Sequence, residues 1–305
     1  MMAPVSKQET VQESLHALLA GVIDYAGLFP PARLDMSTTI ANYAGYLGRA
    51  DSWALGRIIV PAARLDEFEQ HAASHLPTGD DDEPWQLSAL VAAAGEDGLD
   101  DDLRRIAAFN EKHAVPAAGR AAIGVIELRA VTPDSIDDAL ERIPDGLFPF
   151  FEIPVADDPR GLIAALTGSD AGAKVRTGGV KADAYPTPQH LARFIGACAA
   201  AEVPFKATAG LHQPLCHDSE TVGTPQFGFL NVFTAGVFAL SGKLTEQDLM
   251  AVLTDEKPES FDFGDDCLRY HDHELSIDQV ETARRNFAIS FGSCSFTEPM
   301  DALHP

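Results

Sequence analysis

Short apolar runs alternate along the chain with segments in which apolar residues recur at helical spacing. The runs predict strands at 21–25, 57–60, 87–91, 122–129, 150–153, 173–176, 205–208 and 287–291. The intervening periodicity predicts helices, among them 36–47, 65–76, 99–112, 135–143, 161–166, 229–240 and 245–253. Nearly continuous apolar strands that alternate with helices are typical of parallel sheets. For 305 residues, this pattern favours a single (β/α)8 TIM-type barrel domain over 1–305.

One segment interrupts this alternation before the last strand. Residues 261–275 alternate around Gly264-Asp265-Asp266, which predicts a β-hairpin insertion. Ser276 and Gln279 then form a capping-box pattern at the start of a helix. The run 287–291 follows and is expected to close the barrel as its eighth strand.

Two of the predicted strands carry a lysine and end in small residues. They are 173–176 and 205–208, and a helix that starts at Thr187-Pro188 joins them. Such a crossover makes the two strands parallel, so both finish at the edge where α/β barrels place their chemistry. Lys174 and Lys206 are therefore expected to lie side by side in the barrel interior.

Two neighbouring buried ammonium groups repel each other, and burial disfavours their charge, so the pKa of each should fall. A lysine that is neutral near pH 7 attacks an aldehyde or ketone and forms a Schiff base, which activates the adjacent carbon–carbon bond. The alternative interpretation is that the lysines pair with buried carboxylates and only stabilise the barrel.

Three carboxylates are expected at the same edge, at the ends of other strands. Asp24 ends the first predicted strand, Glu127 lies near the end of the fourth, and Glu152 lies near the end of the fifth. Each is a candidate general acid or base beside the lysines. Taken singly, each carboxylate is better explained as a salt-bridge partner for Arg129, Arg176 or a lysine.

Small and polar residues follow the last three strands and predict a substrate-binding rim. The candidates are Arg176, Thr177, Gly178, Gly179, Thr208, Gly210, His212, Ser293, Cys294 and Ser295. Backbone N–H groups in such turns commonly hold a phosphate group in this fold. Ordinary turn formation is the competing explanation.

The two lysine strands resemble paired motifs of the deoxyribose-phosphate aldolase family. They read Lys174-Val-Arg-Thr-Gly and Lys206-Ala-Thr-Ala-Gly-Leu. The resemblance implies a class I aldolase, a carbon–carbon lyase, in which Lys174 forms the Schiff base and Lys206 tunes it. It places Glu127 where that family has an aspartate of the proton relay. The chain departs from the pattern in that glutamate, in His212, and in Arg176, which replaces a small residue and is suited to binding a substrate carboxylate or phosphate.

Three other functional interpretations remain open. His212, Cys216, His217 and Asp218 form a compact group that would suit a metal-dependent hydrolase or lyase. Cys294, with His212 near the same edge, is a candidate nucleophile. The barrel would also suit a protein that binds a small anionic metabolite without converting it.

Composition restricts the partners. The net charge of −24 argues against nucleic acids and anionic membranes, and no apolar run approaches membrane-spanning length. Only seven of the 22 basic residues are lysine, a pattern that suits a high-salt cytoplasm. The four cysteines are scattered, and the first twelve residues lack a signal-peptide core, so a reducing, cytoplasmic location is expected. The sequence predicts a small-molecule substrate, no cofactor and no metal, and leaves a homo-oligomer open.

Overall fold

The computed structural model describes residues 11–219 and 222–303. The polar segment 1–10, on which the expectation about the N-terminus mainly depends, lies outside these ranges. The strands are β1 (Ile23–Tyr25), β2 (Leu55–Pro61), β3 (Trp85–Leu90), β4 (Ala121–Arg129), β5 (Phe148–Glu152), β6 (Gly172–Arg176), β7 (Phe205–Thr208), β8 (His217–Ser219), β9 (Thr224–Gln226), β10 (Phe261–Phe263), β11 (Cys267–Tyr270), β12 (His273–Ser276) and β13 (Ala288–Ser293). The helices are α1 (Glu13–Leu19), α2 (Met36–Leu47), α3 (Leu65–Ala72), α4 (Leu99–His113), α5 (Pro133–Arg142), α6 (Arg160–Ala164), α7 (Pro188–Ala200), α8 (Phe229–Leu240), α9 (Glu246–Thr254), α10 (Ile277–Asn286) and α11 (Thr297–Ala302).

Eight parallel strands close into a barrel in the order β1-β13-β7-β6-β5-β4-β3-β2. This confirms the predicted α/β barrel of the TIM type. The central strands are buried on both faces, as their continuous apolar sequences require. In β6, for example, Ala173 and Val175 belong to the main hydrophobic core, while alternation turns Lys174 to the opposite face.

Local sequence signals set the helix that joins the two lysine strands. The Thr187 hydroxyl accepts a hydrogen bond from the His190 N–H (3.2 Å), and Pro188 occupies the first turn of α7. Leu191, Phe194 and Cys198 are fully buried on one side of α7. The predicted strand–helix–strand unit is therefore present, and β6 and β7 are parallel neighbours.

The predicted hairpin insertion is wrong in its strand count. Segment 261–276 forms a three-stranded antiparallel sheet in the order β10-β11-β12, because a second turn after Tyr270 returns the chain along β11. The capping box of Ser276 and Gln279 is present at the start of α10. The sequence analysis also missed the small β8–β9 hairpin and α11, which are too short and polar to show a clear periodicity.

No helix within the described ranges combines the length and apolar character needed to cross a membrane.

Candidate active site

The register of the barrel places four charged side chains and a serine in one row across five strands. Lys174 pairs with Lys206 across β6 and β7, and Lys206 pairs with Ser290 across β7 and β13. On the other side Lys174 pairs with Glu152, which pairs with Arg129. The sequence therefore places both lysines correctly in the same layer of the barrel.

Lys206 is completely enclosed in the barrel interior. Its Nζ donates to Asp24 Oδ2 (2.5 Å) and to Glu127 Oε1 (2.6 Å). Asp24 is itself fixed, because it accepts hydrogen bonds from the Ser290 hydroxyl (2.7 Å) and the Arg57 N–H (2.7 Å). Lys206 is thus held between two carboxylates, and no substrate reaches it in this arrangement.

Lys174, unlike Lys206, is not fully enclosed and reaches the open end of the barrel. It is 5% exposed, and its Nζ is 2.7 Å from Glu127 Oε2 and 2.9 Å from Glu152 Oε2. Both contacts are ion pairs at hydrogen-bonding distance. The amine is therefore held between two carboxylates while it remains open to the end of the barrel.

Glu127 is the carboxylate that joins the two lysines. Its Oε1 also accepts a hydrogen bond from the Ser88 hydroxyl (2.7 Å). Burial alone would raise the pKa of Glu127, but the charges of Lys174 and Lys206 outweigh it and hold the pKa below the ordinary range. Glu127 is accordingly an ionised bridge between two ammonium groups.

The charge state of Lys174 differs from the sequence-based prediction. Burial lowers its pKa, but Glu127 and Glu152 more than offset burial, so the pKa is raised above its ordinary value. The pKa of Glu152 changes in the opposite direction. Burial alone would raise this pKa, but the charges of Lys174 and Arg176 bring it below the ordinary value. The expectation that repulsion from Lys206 makes Lys174 neutral near pH 7 is wrong for the resting site, because the intervening carboxylates were not counted.

A cavity of about 1240 Å³ opens above this charged layer at the carboxyl ends of the strands, where barrel enzymes bind substrates. Of the expected catalytic residues, Lys174, Glu127 and Glu152 line it, whereas Asp24 and Lys206 lie beneath it. The expected binding residues that line it are Arg176, Gly179, Thr208, Gly210, His212 and Cys294.

The four remaining candidates do not face the cavity, and their polar groups are committed elsewhere. The Thr177 hydroxyl donates to the carbonyl oxygens of Thr208 (3.2 Å) and Ala209 (2.5 Å). Gly178 packs against Gly210 so closely that a Cβ on either would come within 3 Å of the other's Cα. The hydroxyls of Ser293 and Ser295 are used within their own turn and at the start of α11.

The histidine–cysteine group does not assemble as the metal interpretation requires. His212 Nδ1 lies 2.8 Å from Glu298 Oε2, the Cys216 N–H donates to Asn231 Oδ1 (2.8 Å), and His217 Nδ1 is 3.1 Å from the Leu215 carbonyl oxygen. In the described part of the chain, no three His, Cys, Asp or Glu side chains converge as ligands.

The environments of Cys294 and Asn231 argue against a catalytic role for either residue. Cys294 lines the cavity, but burial raises its pKa, so its thiol is not activated as a nucleophile. Asn231 is buried and does not reach the cavity. It donates to the carbonyl oxygens of Val252 (2.7 Å) and Asp255 (2.8 Å) and so joins α8 to the end of α9.

Sequence reasoning missed several residues of the site. Ser88 donates a hydrogen bond to Glu127, and Ser290 donates one to Asp24. Each is the one hydroxyl residue in an apolar run, 87–91 or 287–291, and this pattern could have identified it. Arg129 was noted only as a salt-bridge partner, yet it lines the cavity beside Glu152. The loop 29–31, which forms part of the cavity wall, was also missed.

Comparisons with known proteins add no relative: no family model matches the chain, and neither curated proteins nor solved structures give a significant match.

Proposed function

We propose that the protein is a lyase of the class I aldolase type in which Lys174 forms a Schiff base with a small carbonyl compound. One observation carries this proposal: Lys174 is a buried lysine that opens into the cavity between two carboxylates. The other lysines within the described ranges are either sealed in the interior, as Lys206 is, or exposed on the surface. The resemblance of the two lysine strands to the deoxyribose-phosphate aldolases supports the same assignment.

The surrounding groups supply the other steps. Lys174 must first lose its proton, and its amine then attacks the carbonyl carbon with loss of water. Glu152, which lies at the cavity wall 2.9 Å from Lys174, is positioned to move the protons of the carbinolamine and of the leaving hydroxyl. Glu127 and the enclosed Lys206 hold the amine in place and set the field around the iminium ion.

Reductive trapping tests this function. Intact-mass measurement after borohydride treatment with small aldehydes and ketones should show one adduct on the wild type and none on Lys174→Ala. Lys257→Ala is the matched control, because Lys257 is exposed on a loop, and it should retain the adduct. An unchanged adduct on Lys174→Ala would reject the assignment.

A non-catalytic, anion-binding barrel is a second candidate, and the pairing of Lys174 favours it. An ammonium whose pKa is raised by Glu127 and Glu152 is suited to attract an anion and poorly suited to attack. This candidate predicts saturable binding of small carboxylates or phosphates without any borohydride adduct on the wild type. A Lys174-dependent adduct excludes it.

A further inference from the structure

The cavity has two chemically different sides. The ends of β4, β5 and β6 contribute Arg129, Glu152, Lys174 and Arg176, whereas the ends of β1, β2 and β3 contribute almost only apolar groups. That side includes Phe29, Pro30, Pro31, Ile59, Leu90 and Val91, and its charged member is Glu96. A ligand that fills the cavity is therefore expected to be polar at one end and apolar at the other.

The carboxylate of Glu152 contacts both Lys174, the candidate nucleophile, and Arg176. Glu152 Oε2 lies 2.9 Å from Lys174 Nζ, and Glu152 Oε1 lies 3.5 Å from Arg176 Nη2. Lys174 and Arg176 are two residues apart on β6, so their side chains leave the same face of the strand. A ligand whose carbonyl and carboxylate groups are adjacent, or one atom apart, is thus the right length to contact both cations.

The donors needed to bind such a carboxylate are largely uncommitted. Arg176 has half of its side-chain surface exposed (51%), and its contact with Glu152 is long. Arg129 lines the cavity, and its guanidinium makes no ion pair or side-chain hydrogen bond with the described residues, although its charge acts on nearby Glu152. The Thr208 hydroxyl, in register with Arg176, likewise has no partner in the part of the chain that the structure describes. Two guanidinium groups and a hydroxyl of the cavity lining are thus available to bind a carboxylate.

The rim is less suited to phosphate. Two of the backbone N–H groups that were expected to hold phosphate are used within the protein: that of Ala209 donates to Gly292 O (3.3 Å), and that of Ser295 donates to the Ser293 hydroxyl (3.3 Å). Glu96 and Glu298 also line the cavity, and they would repel a dianion more strongly than a monoanion.

Building on the proposed function, we propose that the substrate is a 4-hydroxy-2-oxo acid with an apolar group beyond C4. Arg176, with Arg129 and Thr208, binds its carboxylate, and the side formed by 29–31 and the ends of β2 and β3 holds the apolar group.

The reaction balances as a retro-aldol cleavage. Lys174 condenses with the C2 carbonyl and releases one water. The C3–C4 bond then breaks: its electron pair passes to the enamine, and the C4 hydroxyl loses its proton to Glu152 as C4 becomes an aldehyde. The enamine takes a proton back at C3, and one water hydrolyses the imine. The products are pyruvate and an apolar aldehyde, and no oxidant, reductant or metal is consumed.

The test compares borohydride trapping of pyruvate with trapping of acetone, which lacks the carboxylate. For Arg176→Gln the ratio of the pyruvate rate to the acetone rate should fall about tenfold or more, as expected for loss of a charge-assisted hydrogen bond. The control Arg285→Gln, on the exposed last turn of α10, should leave the ratio unchanged. Lys174-dependent trapping with the same ratio in wild type and Arg176→Gln would overturn the carboxylate site while leaving the Schiff-base function intact.

A second measurement separates this inference from the function on which it rests. Lactate carries the carboxylate but cannot form an imine, so its binding is followed by NMR line broadening of the ligand. Binding to the wild type that is lost in Arg176→Gln supports the carboxylate site even if no adduct forms. Absence of lactate binding to the wild type, or displacement of pyruvate by inorganic phosphate at lower concentration than by lactate, contradicts it.

Discussion

Lys174 and Lys206 stand in register on neighbouring strands, yet their amines are joined through the carboxylate of Glu127 and make no direct contact. The two Glu127 oxygens lie 2.7 Å from Lys174 Nζ and 2.6 Å from Lys206 Nζ. This bridge lets two ammonium groups occupy one barrel interior. The two lysines nevertheless differ in their access to a ligand, because Lys206 is fully buried and Lys174 lines the cavity.

Removal of the bridging charge should destabilise the protein strongly. Glu127→Gln leaves Lys206 with Asp24 alone and deprives Lys174 of one of its two carboxylates. Breaking a buried ion pair typically costs about 3–5 kcal/mol of the free energy of unfolding. Urea denaturation of Glu127→Gln at neutral pH should show a loss of this order.

The stability lost in Glu127→Gln should depend on pH. The pKa of Glu127 is depressed in the folded protein, so its stabilisation is complete above the ordinary value of 4.5 and is lost as pH falls below it. The difference in unfolding free energy between wild type and Glu127→Gln should therefore shrink as the medium is acidified below pH 4.5. A difference that stays constant with pH, or a cost below about 1 kcal/mol, would contradict an ionised Glu127 bridge.

The second carboxylate beside Lys174 should control its reactivity. Glu152→Gln removes one of the two charges that raise the pKa of Lys174, and loss of such a neighbour should lower that pKa. The alkaline rise in the rate of Schiff-base formation should accordingly move to lower pH in Glu152→Gln. The measurement is the pH profile of carbonyl trapping for both proteins.

Glu298→Gln is the matched control for that profile. Glu298 also lines the cavity, but it lies beside His212 and not beside Lys174. Its profile should coincide with that of the wild type. A shift of equal size in both variants would assign the effect to the general charge of the cavity rather than to Glu152.

The contact between Gly178 and Gly210 should be intolerant of a side chain. A Cβ on Gly178 would lie 2.8 Å from Gly210 Cα and 2.8 Å from a ring carbon of Tyr185. Gly178→Ala should therefore displace the turns that follow β6 and β7, and overpacking of this kind costs about 1–3 kcal/mol. Thermal unfolding should show a lowered midpoint. Gly146→Ala is the comparison. The space around the Cβ position of Gly146 is open, so any loss of stability there comes from its positive φ of 91° and not from a contact. Equal stability of wild type and Gly178→Ala would disprove the close contact.

Salt should stabilise the protein. The run 80–83 is exposed and wholly acidic, and the chain carries a net charge of −24. Raising the ionic strength from 0.1 to 1 M shortens the Debye length from about 10 to about 3 Å and so weakens repulsion between surface carboxylates. The free energy of unfolding should rise with KCl concentration, and less steeply for Asp80→Asn/Asp81→Asn. Stability that is equal at low and high salt would reject a high-salt adaptation.

The acidic run 100–102 is only partly exposed. In 100–102 the first two aspartates are exposed, but Asp102 is buried and accepts a hydrogen bond from the Ala92 N–H (3.0 Å). Its carboxylate therefore fixes the chain just after β3, next to the cavity residue Val91. A run of like residues in the sequence does not reveal which member points inward.

The barrel was predictable because its strands repeat one signal. Apolar runs such as Ile58 to Val60 are buried on both faces in a parallel sheet, and helices such as α7 begin at their caps. β8 and β9 gave no such signal, since each has three residues and largely polar side chains. The third strand of the 261–276 sheet was missed because its turn, after Tyr270, lacks the glycine that marked the first.

The site was predictable as a set of residues but not as a charge state. Strand periodicity and parallel order were enough to bring Lys174, Lys206 and Glu127 together. They did not show that Glu127 reaches between the amines, a matter of side-chain length and of the Ser88 hydroxyl that holds it. The pKa of Lys174 was therefore predicted in the wrong direction.

The most direct test of the central claim is to locate the trapped carbonyl. Wild-type protein treated with pyruvate and borohydride is digested, and the modified lysine is identified by tandem mass spectrometry. We predict that the stoichiometric adduct lies on Lys174, with Lys206 unmodified. An adduct on Lys206, or adducts spread over exposed lysines such as Lys112 and Lys257 without one on Lys174, would contradict the assignment.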